Sequence, residues 1–254
     1  MGEALHRRVP APASFVIIPG ANVAKYLVLA ASSAIGQATV AGLKASGHIV
    51  RTTARSVEKI TPDDILDLTD FDAVDVVFAK AGPLDGVVNC SGSLLLRSAH
   101  LTSRVQFDGV ISASLTTAFA TVRAAGKHMT AGGSVVLVSS AAAMEGLANH
   151  EAIAAAKAGV LGLMRSAAAT YASMNLRVNA VAPGLVQSPL TAQLTASDAA
   201  RKVSEAMHAL GRIGQPDDVA RAIIFLLDPA NDWITGQVLG VDGGLSSVRP
   251  KMRM

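Results

Sequence analysis

The amino-acid sequence predicts a doubly wound α/β fold, in which helices cover both faces of a parallel β-sheet. Two observations lead to this prediction. Short apolar runs alternate with longer segments whose apolar residues have helical spacing, and this alternation is typical of a parallel sheet. The pattern also continues without a linker or an internal repeat, which indicates one domain. The predicted strands are 26–31, 48–54, 86–90, 134–140, 176–183 and 236–243.

The length and composition suit one domain of ordinary size. Of the 254 residues, 50% are apolar and 16% are charged, so the chain can bury a substantial core. We assign this domain to residues 15–248, after an N-terminal extension at 1–14 and before a C-terminal tail at 249–254. The link from 55 to 67 is too short for a full crossover helix, so we expect that helix to be reduced to a turn.

Charge and composition argue against several classes of partner. The formal net charge is +3, but five Lys or Arg and one Glu in the tails contribute +4, which leaves the body near −1 and offers no basic face for nucleic acid. Proline, glycine, asparagine and lysine interrupt the apolar stretch 15–35, which favours two short strands over a membrane span. The single cysteine, Cys90, suits a reducing compartment, so we expect a cytoplasmic protein. The histidines lack metal-ligand spacing, so no metal site is predicted.

The first candidate site follows the first strand, because ligands of doubly wound sheets bind beyond the carboxyl ends of the strands. The segment AASSAIGQATVAGL (30–43) is a turn that opens an alanine-rich helix, whose first N–H groups can hold a pyrophosphate. With this motif begins an order of motifs, over roughly residues 25–247, that resembles the short-chain dehydrogenase/reductase family. The segment 211–244 is a long match to that family. The resemblance implies a Rossmann-type domain that binds NAD or NADP.

The family's turn reads TGxxxGxG, and only its last glycine, Gly36, is present here. Ala30 and Ala34 replace the other two, where glycine accepts unusual backbone angles and leaves room for phosphate oxygens. The two alanines therefore predict that cofactor binding is weakened or lost. The resemblance assigns these residues of the turn to the cofactor: Ala30, Ser32, Ser33, Ile35 and Gly36.

The second strand ends in Arg55 and carries no acidic residue there. An acid would accept hydrogen bonds from the adenosine ribose, whereas an arginine pairs with a 2′-phosphate, so NADP is favoured over NAD. The alternative for Arg55 is a solvated charge at the end of a strand. The resemblance adds Asp67 and its neighbour Leu68 as contacts of the adenine.

The segment GVVNCSG (86–92) resembles the family's LVNNAG and keeps Asn89 and Gly92 beside the adenine ribose. Cys90 replaces the second asparagine, and we interpret it as a small buried hydrophobe rather than a nucleophile. The segment NAVAPGLVQSPL (179–190) resembles the loop beside the nicotinamide. The residues of that loop assigned to the cofactor are Pro183, Gly184, Val186 and Ser188.

The family's catalytic row consists of Asn, Ser, Tyr and Lys, and half of it is changed here. Ser140 and Lys157 are present, and the resemblance assigns carbonyl polarisation to Ser140 and ribose binding to Lys157. Ser114 stands at the asparagine position and Ile153 at the tyrosine position, so the phenol that would transfer the proton is missing.

His150 is the candidate replacement for that phenol. It precedes Lys157 by seven residues, which returns it to within roughly 20° of the same helix face. The spacing also resembles the enoyl-acyl-carrier-protein reductases, whose tyrosine precedes the lysine by seven. An imidazole can act as acid or base near neutral pH, but a histidine at a helix start can also have no chemical role.

Two hypotheses of function remain open. The first is an oxidoreductase that reduces a carbonyl or enone of a small molecule, possibly of acyl type, with NADP(H) and a non-standard proton donor. The second is a non-redox or catalytically impaired homologue, either a binding partner that needs no cofactor or a lyase, isomerase or cyclase. The helices at 104–126 and 151–172 carry small residues on nearly every side, which predicts a homotetramer or a homodimer. The segment 185–210 is expected to form a lid over an apolar substrate.

Overall fold

A computed structural model describes residues 23–249 as a seven-stranded parallel sheet with helices on both faces. The strands lie in the order β3-β2-β1-β4-β5-β6-β7, so the direction of winding reverses beside β1. The strands are β1 (Lys25–Leu29), β2 (Ile49–Ala54), β3 (Asp64–Ile65), β4 (Gly86–Asn89), β5 (Gly133–Val138), β6 (Leu176–Pro183) and β7 (Val238–Val241).

The two faces of the sheet bury separate apolar clusters, because successive side chains of a strand point to opposite sides. The helices on these faces are α1 (Ala34–Ala45), α2 (Phe71–Ala81), α3 (Arg104–Ile111), α4 (Thr117–His128), α5 (Glu151–Tyr171), α6 (Asp198–Met207) and α7 (Pro216–Leu227). Leu27 and Leu29 of β1 face the cluster under α2, α4 and α5, whereas Tyr26 and Val28 face the cluster under α1 and α7.

The predicted fold class is confirmed, and each of the six predicted strands coincides with a strand of the sheet. The link between β2 and β3 is a run of bends and turns, as expected from its length. The two-residue strand β3 was not predicted, because its pairing depends on contacts across the link. Thr52 and Asp63 exchange hydrogen bonds there, with the Thr52 N–H donating to the Asp63 carboxylate at 2.8 Å. The additional strand predicted before residue 23 lies outside the described residues.

Helix α5 is the longest helix and forms one wall of the site. Gly159 lets it approach the turn Ser112–Thr116 closely, since a Cβ at this glycine would lie 2.9 Å from Leu115 Cδ2. Among the described residues, the segment Glu151–Met174 is the one helix long and apolar enough to cross a membrane. Half of that window is buried inside the protein, as in a core helix.

Candidate active site

Lys157 belongs to α5, and its ammonium reaches the carboxyl ends of β4 and β5. Its pKa is the most strongly shifted among the cations of the site. Its side chain is 5% exposed, and its ammonium donates hydrogen bonds to the carbonyl oxygens of Val138 at 2.8 Å and Ser91 at 3.3 Å. Burial lowers the pKa of Lys157 to about 8, and the neighbouring thiol of Cys90 opposes part of this shift. Burial raises the pKa of Cys90 to about 12, so the thiol stays protonated, as expected of a buried hydrophobe.

Two serines follow β5 and have different surroundings. Ser139 is buried, and its hydroxyl donates to the Lys157 carbonyl oxygen at 2.9 Å, which ties α5 to the end of the strand. Ser140 is half-buried, has an extended backbone and begins the short turn Ala141–Ala143. Its hydroxyl oxygen accepts a hydrogen bond from the Ala142 N–H at 3.2 Å, so its proton is available to a second acceptor.

The position of the missing phenol is filled by packed hydrocarbon. Ile153 is 4% exposed and belongs to a small apolar cluster with Val110 and Ala156, against which Leu95 and Ile111 pack. A phenol in this place would have to displace part of that cluster. The tyrosines of the chain give no replacement, because Tyr26 is buried under α1 and α7 and Tyr171 packs against Gly126 of α4.

Ser114 stands in a π-helical turn, Ser112–Thr116, that joins α3 to α4. Such turns are rare and frequently mark functional sites. The Ser114 side chain is 2% exposed, and its hydroxyl has no hydrogen-bond partner among the described residues. A buried hydroxyl without a partner costs free energy, which points to a water or ligand atom beside it.

A buried hydroxyl network beside Ser114 was missed by the sequence analysis. The hydroxyls of Ser91 and Thr117 lie 2.6 Å apart, and the Asn89 amide donates to Thr121 at 2.9 Å while accepting from the Ser91 N–H at 2.8 Å. The side chain of Asn89 therefore holds β4 to α4, and the predicted ribose contact of Asn89 stays a prediction. Threonines one turn apart on α4 were the only signal of this network in the sequence.

His150 directly precedes the first turn of α5. It is half-buried and has a non-helical backbone. Its Nδ1 lies 2.8 Å from the Ala148 carbonyl oxygen, which can only accept, so Nδ1 carries the proton. In the neutral ring, Nε2 is therefore an acceptor. Asn149 adopts a positive φ of 63°, a conformation that asparagine tolerates, and this sharp turn sets the direction of His150.

The turn between β1 and α1 combines one strained alanine with one required glycine. Ala30 has a φ of 54°, in the left-handed region that favours glycine. Ser33 caps α1 through a hydrogen bond from the Gly36 N–H at 3.0 Å, and Ser32 and Ile35 flank it on the turn and the first helical turn. A Cβ at Gly36 would lie 2.8 Å from the Ala30 carbonyl oxygen, so only glycine fits there.

The predicted adenosine end of the crevice lies at the ends of β2 and β3. Arg55 is exposed directly after β2, and its charge contributes to the lowered pKa of Asp67. The larger causes of that lowered pKa are two hydrogen bonds that the Asp67 carboxylate accepts from Thr69, at 2.9 and 2.8 Å. Leu68 is buried beside them.

The predicted nicotinamide end lies at the loop after β6. Pro183 is the last residue of β6, Val186 is buried, and the Ser188 hydroxyl lies 3.0 Å from that of Thr191. A cavity of about 490 Å³ opens between this loop and the start of α1. Its walls are Ala34, Gln187, Ser188, Pro189, Ala192, Thr195, Gln215 and Pro216.

These residues fit a dinucleotide at most of its predicted contacts. Gly36 keeps the turn open at the close approach, and Gly92 does the same beside Lys157, where a Cβ would lie 3.2 Å from the ammonium. The cavity between α1 and Ser188 is large enough for a phosphate, and Gln187, Ser188, Thr195 and Gln215 give its walls some hydrogen-bonding groups. The methyl group of Ala30 is the one conflict, since it occupies a position where glycine is usual. Among residues 23–249, no group of three or more His, Cys, Asp or Glu side chains could hold a metal ion.

The fold and this crevice define an NAD(P)-dependent oxidoreductase of the Rossmann type, with a lysine and a serine at the carboxyl ends of the strands. A family model described as enoyl-(acyl carrier protein) reductase matches residues 29–246. The chain belongs to the short-chain dehydrogenase/reductase family.

Individual relatives support the same class. The chain is 34% identical over 241 residues to a 3-oxoacyl-[acyl-carrier-protein] reductase of Thermotoga maritima. This match covers 86% of this chain and 96% of the relative. It is 36% identical over 194 residues to an inactive 2-(S)-hydroxypropyl-CoM dehydrogenase of Xanthobacter autotrophicus, covering 72% and 84%. Its structure is similar to ElxO with NADP bound, at a TM-score of 0.83 and 26% identity over 89% of this chain and all of that one. A Tyr-to-Phe variant of ElxO with NADPH bound is equally similar.

Proposed function

We propose that this protein reduces a carbonyl or enone group of a small molecule with NADPH, using a proton donor other than tyrosine. The observation that carries the proposal is the buried ammonium of Lys157, held by two strand-end carbonyls where the family binds the nicotinamide ribose. Burying the ammonium costs free energy. The presence of this lysine in a chain without the phenol therefore favours a functional role for Lys157.

Each retained residue has a distinct role in this proposal. The cofactor supplies the hydride when it is bound. Lys157 holds the ribose through its ammonium, and Arg55 pairs with the 2′-phosphate that distinguishes NADP from NAD. Ser140 donates its hydroxyl hydrogen to the substrate oxygen, where negative charge develops, since its oxygen already accepts from Ala142.

The proton that the substrate oxygen takes up comes from His150 or from water. The neutral ring of His150 keeps its proton on Nδ1, towards Ala148, so His150 can donate to substrate only from the cationic ring. The Ser114 hydroxyl, which has no hydrogen-bond partner within residues 23–249, supports the alternative, a water held at the position where the family has asparagine. The two donors differ in one measurable way, because only the histidine route loses turnover when His150 is replaced by Ala.

The substrate is proposed to be of acyl type and apolar. The matching family model and the Thermotoga maritima relative both carry acyl-carrier-protein names, and an apolar wall formed by Leu95, Ile111 and Ile153 replaces the polar phenol. The segment 185–210 would cover such a substrate as a lid.

A non-redox homologue is the second candidate function. Ile153 is packed into an apolar cluster, and the Xanthobacter autotrophicus relative is named inactive. The NADPH-bound Tyr-to-Phe variant of ElxO weakens this candidate at one point, because a changed tyrosine did not prevent cofactor binding in that protein.

A homotetramer or homodimer in the cytoplasm completes the proposal. The outer face of α5 exposes a row of small residues that another helix could approach closely: Ala155, Ala158, Gly162, Ser166 and Ala169. Light scattering of an Ala158→Glu variant tests this assembly, and we expect a smaller particle than the unchanged chain forms.

The decisive experiment separates binding from turnover. Calorimetric titration with NADPH and NADH should give saturable binding that prefers NADPH, and Lys157→Met should weaken it about tenfold or more. Ser140→Ala should bind NADPH normally but lower kcat for a carbonyl panel about a hundredfold. Ser173→Ala is the matched control, because Ser173 is exposed near the amino end of β6. Absence of saturable binding of either dinucleotide to the unchanged protein would end the redox proposal.

A further inference from the structure

Helix α6 of the lid segment is held to the rest of the protein at few points. All ten of its residues are half-buried or exposed, and its main neighbour is the turn Ala192–Thr195 that precedes it. Val203 and Met207 are exposed apolar residues on this helix. The position of α6 therefore depends on the contacts made where it ends.

His208 is the residue at that end, and it is 4% exposed. Its ring lies between α6 and the loop after β6, and both ring nitrogens have partners. Nδ1 lies 2.7 Å from the Ser204 carbonyl oxygen, and Nε2 lies 3.1 Å from the Leu185 backbone nitrogen. A Cβ at Gly184 would lie 2.8 Å from Nε2, so a glycine is required for the ring to reach this place.

The partners assign the proton of the His208 ring. A carbonyl oxygen only accepts, so Nδ1 carries the hydrogen and donates to Ser204. The Leu185 N–H only donates, so Nε2 accepts with its lone pair. One neutral tautomer thus joins the last turn of α6 to the loop, and an acceptor at Nε2 is essential to that connection.

Leu185 lies between Gly184 and Val186, two residues predicted to contact the nicotinamide end of the cofactor. The other side of this loop is fixed by Gly214, whose N–H donates to the Leu185 carbonyl oxygen at 2.9 Å and whose carbonyl oxygen accepts from Gln187 at 2.9 Å. The loop is therefore tied on one side to the body of the protein and on the other side to α6 through His208.

We propose that His208 is a positioning residue whose hydrogen bond with Leu185, the latch, couples the lid helix α6 to the cofactor loop. Ordering of the loop by cofactor thereby orders the lid, and loss of the latch loosens both. This proposal rests on the proposed cofactor site, but the latch itself exists without cofactor.

A backbone hydrogen bond ties the segment that follows α6 to the loop after β7. Leu210 donates its N–H to the Gly243 carbonyl oxygen at 3.0 Å, and Gly211 donates to the His208 carbonyl oxygen at 2.8 Å. Asp242 accepts from the Gly244 and Ser246 N–H groups at 2.9 Å each, which holds the loop after β7 in place. The chain directly after α6 is therefore fixed to the loop after β7 beside His208.

Two amide variants separate the two ring nitrogens. The side-chain amide of His208→Gln reaches the place of Nε2 and can accept from Leu185, whereas that of His208→Asn reaches only the place of Nδ1 and keeps the Ser204 contact. Hydrogen exchange measured by mass spectrometry, on peptides covering 184–188 and 198–207 in the cofactor-free protein, reports the latch directly. We expect exchange about tenfold faster than in the unchanged protein for His208→Asn and within about twofold for His208→Gln.

Binding and turnover then test the functional part. In His208→Asn we expect the Kd for NADPH and the KM for substrate to rise about tenfold with kcat changed less than about threefold, and we expect His208→Gln to restore both. Equal exchange in all three proteins, or equal loss in both variants, overturns the proposal. If the unchanged protein binds no NADPH while His208→Asn alone exchanges faster, the latch is supported and the proposed function is contradicted.

Discussion

Ala30 gives the sharpest test of how the cofactor turn is built. Its φ of 54° puts an alanine in the left-handed region, where its Cβ crowds the backbone. The Ala31 N–H donates to the Thr53 carbonyl oxygen at 2.8 Å, so the turn is held by β2 and cannot relax alone. Ala34, the first residue of α1, replaces another glycine of the same motif but has a helical backbone. The same substitution should therefore have opposite effects at these two positions.

The magnitudes follow from backbone energetics. Left-handed alanine costs about 1–2 kcal/mol, and glycine at Ala30 removes that strain. Glycine also costs about 0.5–1 kcal/mol through the greater freedom of the unfolded chain. We expect Ala30→Gly to raise the free energy of unfolding by about 0.5–1 kcal/mol, which corresponds to a Tm rise of about 1–4 °C in a chain of this size. In Ala34→Gly only the entropic term remains, so we expect a loss of about 1 kcal/mol.

Urea unfolding of both variants beside the unchanged protein measures this difference, and calorimetry with NADPH measures its effect on binding. We expect Ala30→Gly to bind NADPH more tightly, because the methyl group at the phosphate approach is gone. The reasoning is refuted if Ala30→Gly destabilises the protein as much as Ala34→Gly does, since the backbone at Ala30 would then carry no strain.

Three further predictions concern the lysine, the remaining glycine and the missing phenol. Burial lowers the pKa of Lys157 to about 8 from 10.5. Between these two pH values the unfolded state binds more protons than the folded state, so the free energy of unfolding rises with pH. At pH 7 the buried charge lowers the free energy of unfolding by about 3 kcal/mol. Urea unfolding from pH 8 to pH 10.5 should show this rise and Lys157→Met should lack it, and an equal pH dependence of stability in the two proteins would contradict the buried charge. Gly36→Ala places a methyl group 2.8 Å from the Ala30 carbonyl oxygen. We therefore expect about 1–3 kcal/mol of destabilisation in the same assay, and loss of NADPH binding. An unchanged Kd for NADPH would show that the turn does not approach the cofactor. Ile153→Tyr overpacks the cluster at Leu95, which should lower the free energy of unfolding by about 1–3 kcal/mol. The same change supplies a phenol as acid, so NADPH consumption with carbonyl substrates should rise at least tenfold. No rise would mean that the phenol is not the missing group.

The sequence selected candidate site residues wherever a residue type has one clear chemical use. Lys157, Ser140 and Gly36 could be chosen from motif position, and the structure has them at the carboxyl ends of β5 and β4 or at the start of α1, as the topology requires. The sequence marked Ala30 and Ala34 alike as positions where glycine accepts unusual backbone angles, but it did not indicate that only Ala30 has a positive φ, which the closure of the turn against β2 imposes. The His208 latch was missed for a similar reason, since it joins residues 23 positions apart in segments without a shared motif.

The sequence by itself determined the parallel α/β architecture, the order of its strands along the chain and the membership of the family. These properties follow from hydrophobic periodicity and local motifs, which are encoded within short windows of residues. Only the tertiary structure decided that the lysine is buried with a lowered pKa, that Ser114 has an unsatisfied hydroxyl among the described residues, and that His208 joins the end of α6 to the loop after β6. Desolvation, steric contact and hydrogen bonding depend on which distant segments meet, and that meeting is fixed by the packing of the whole sheet and its helices.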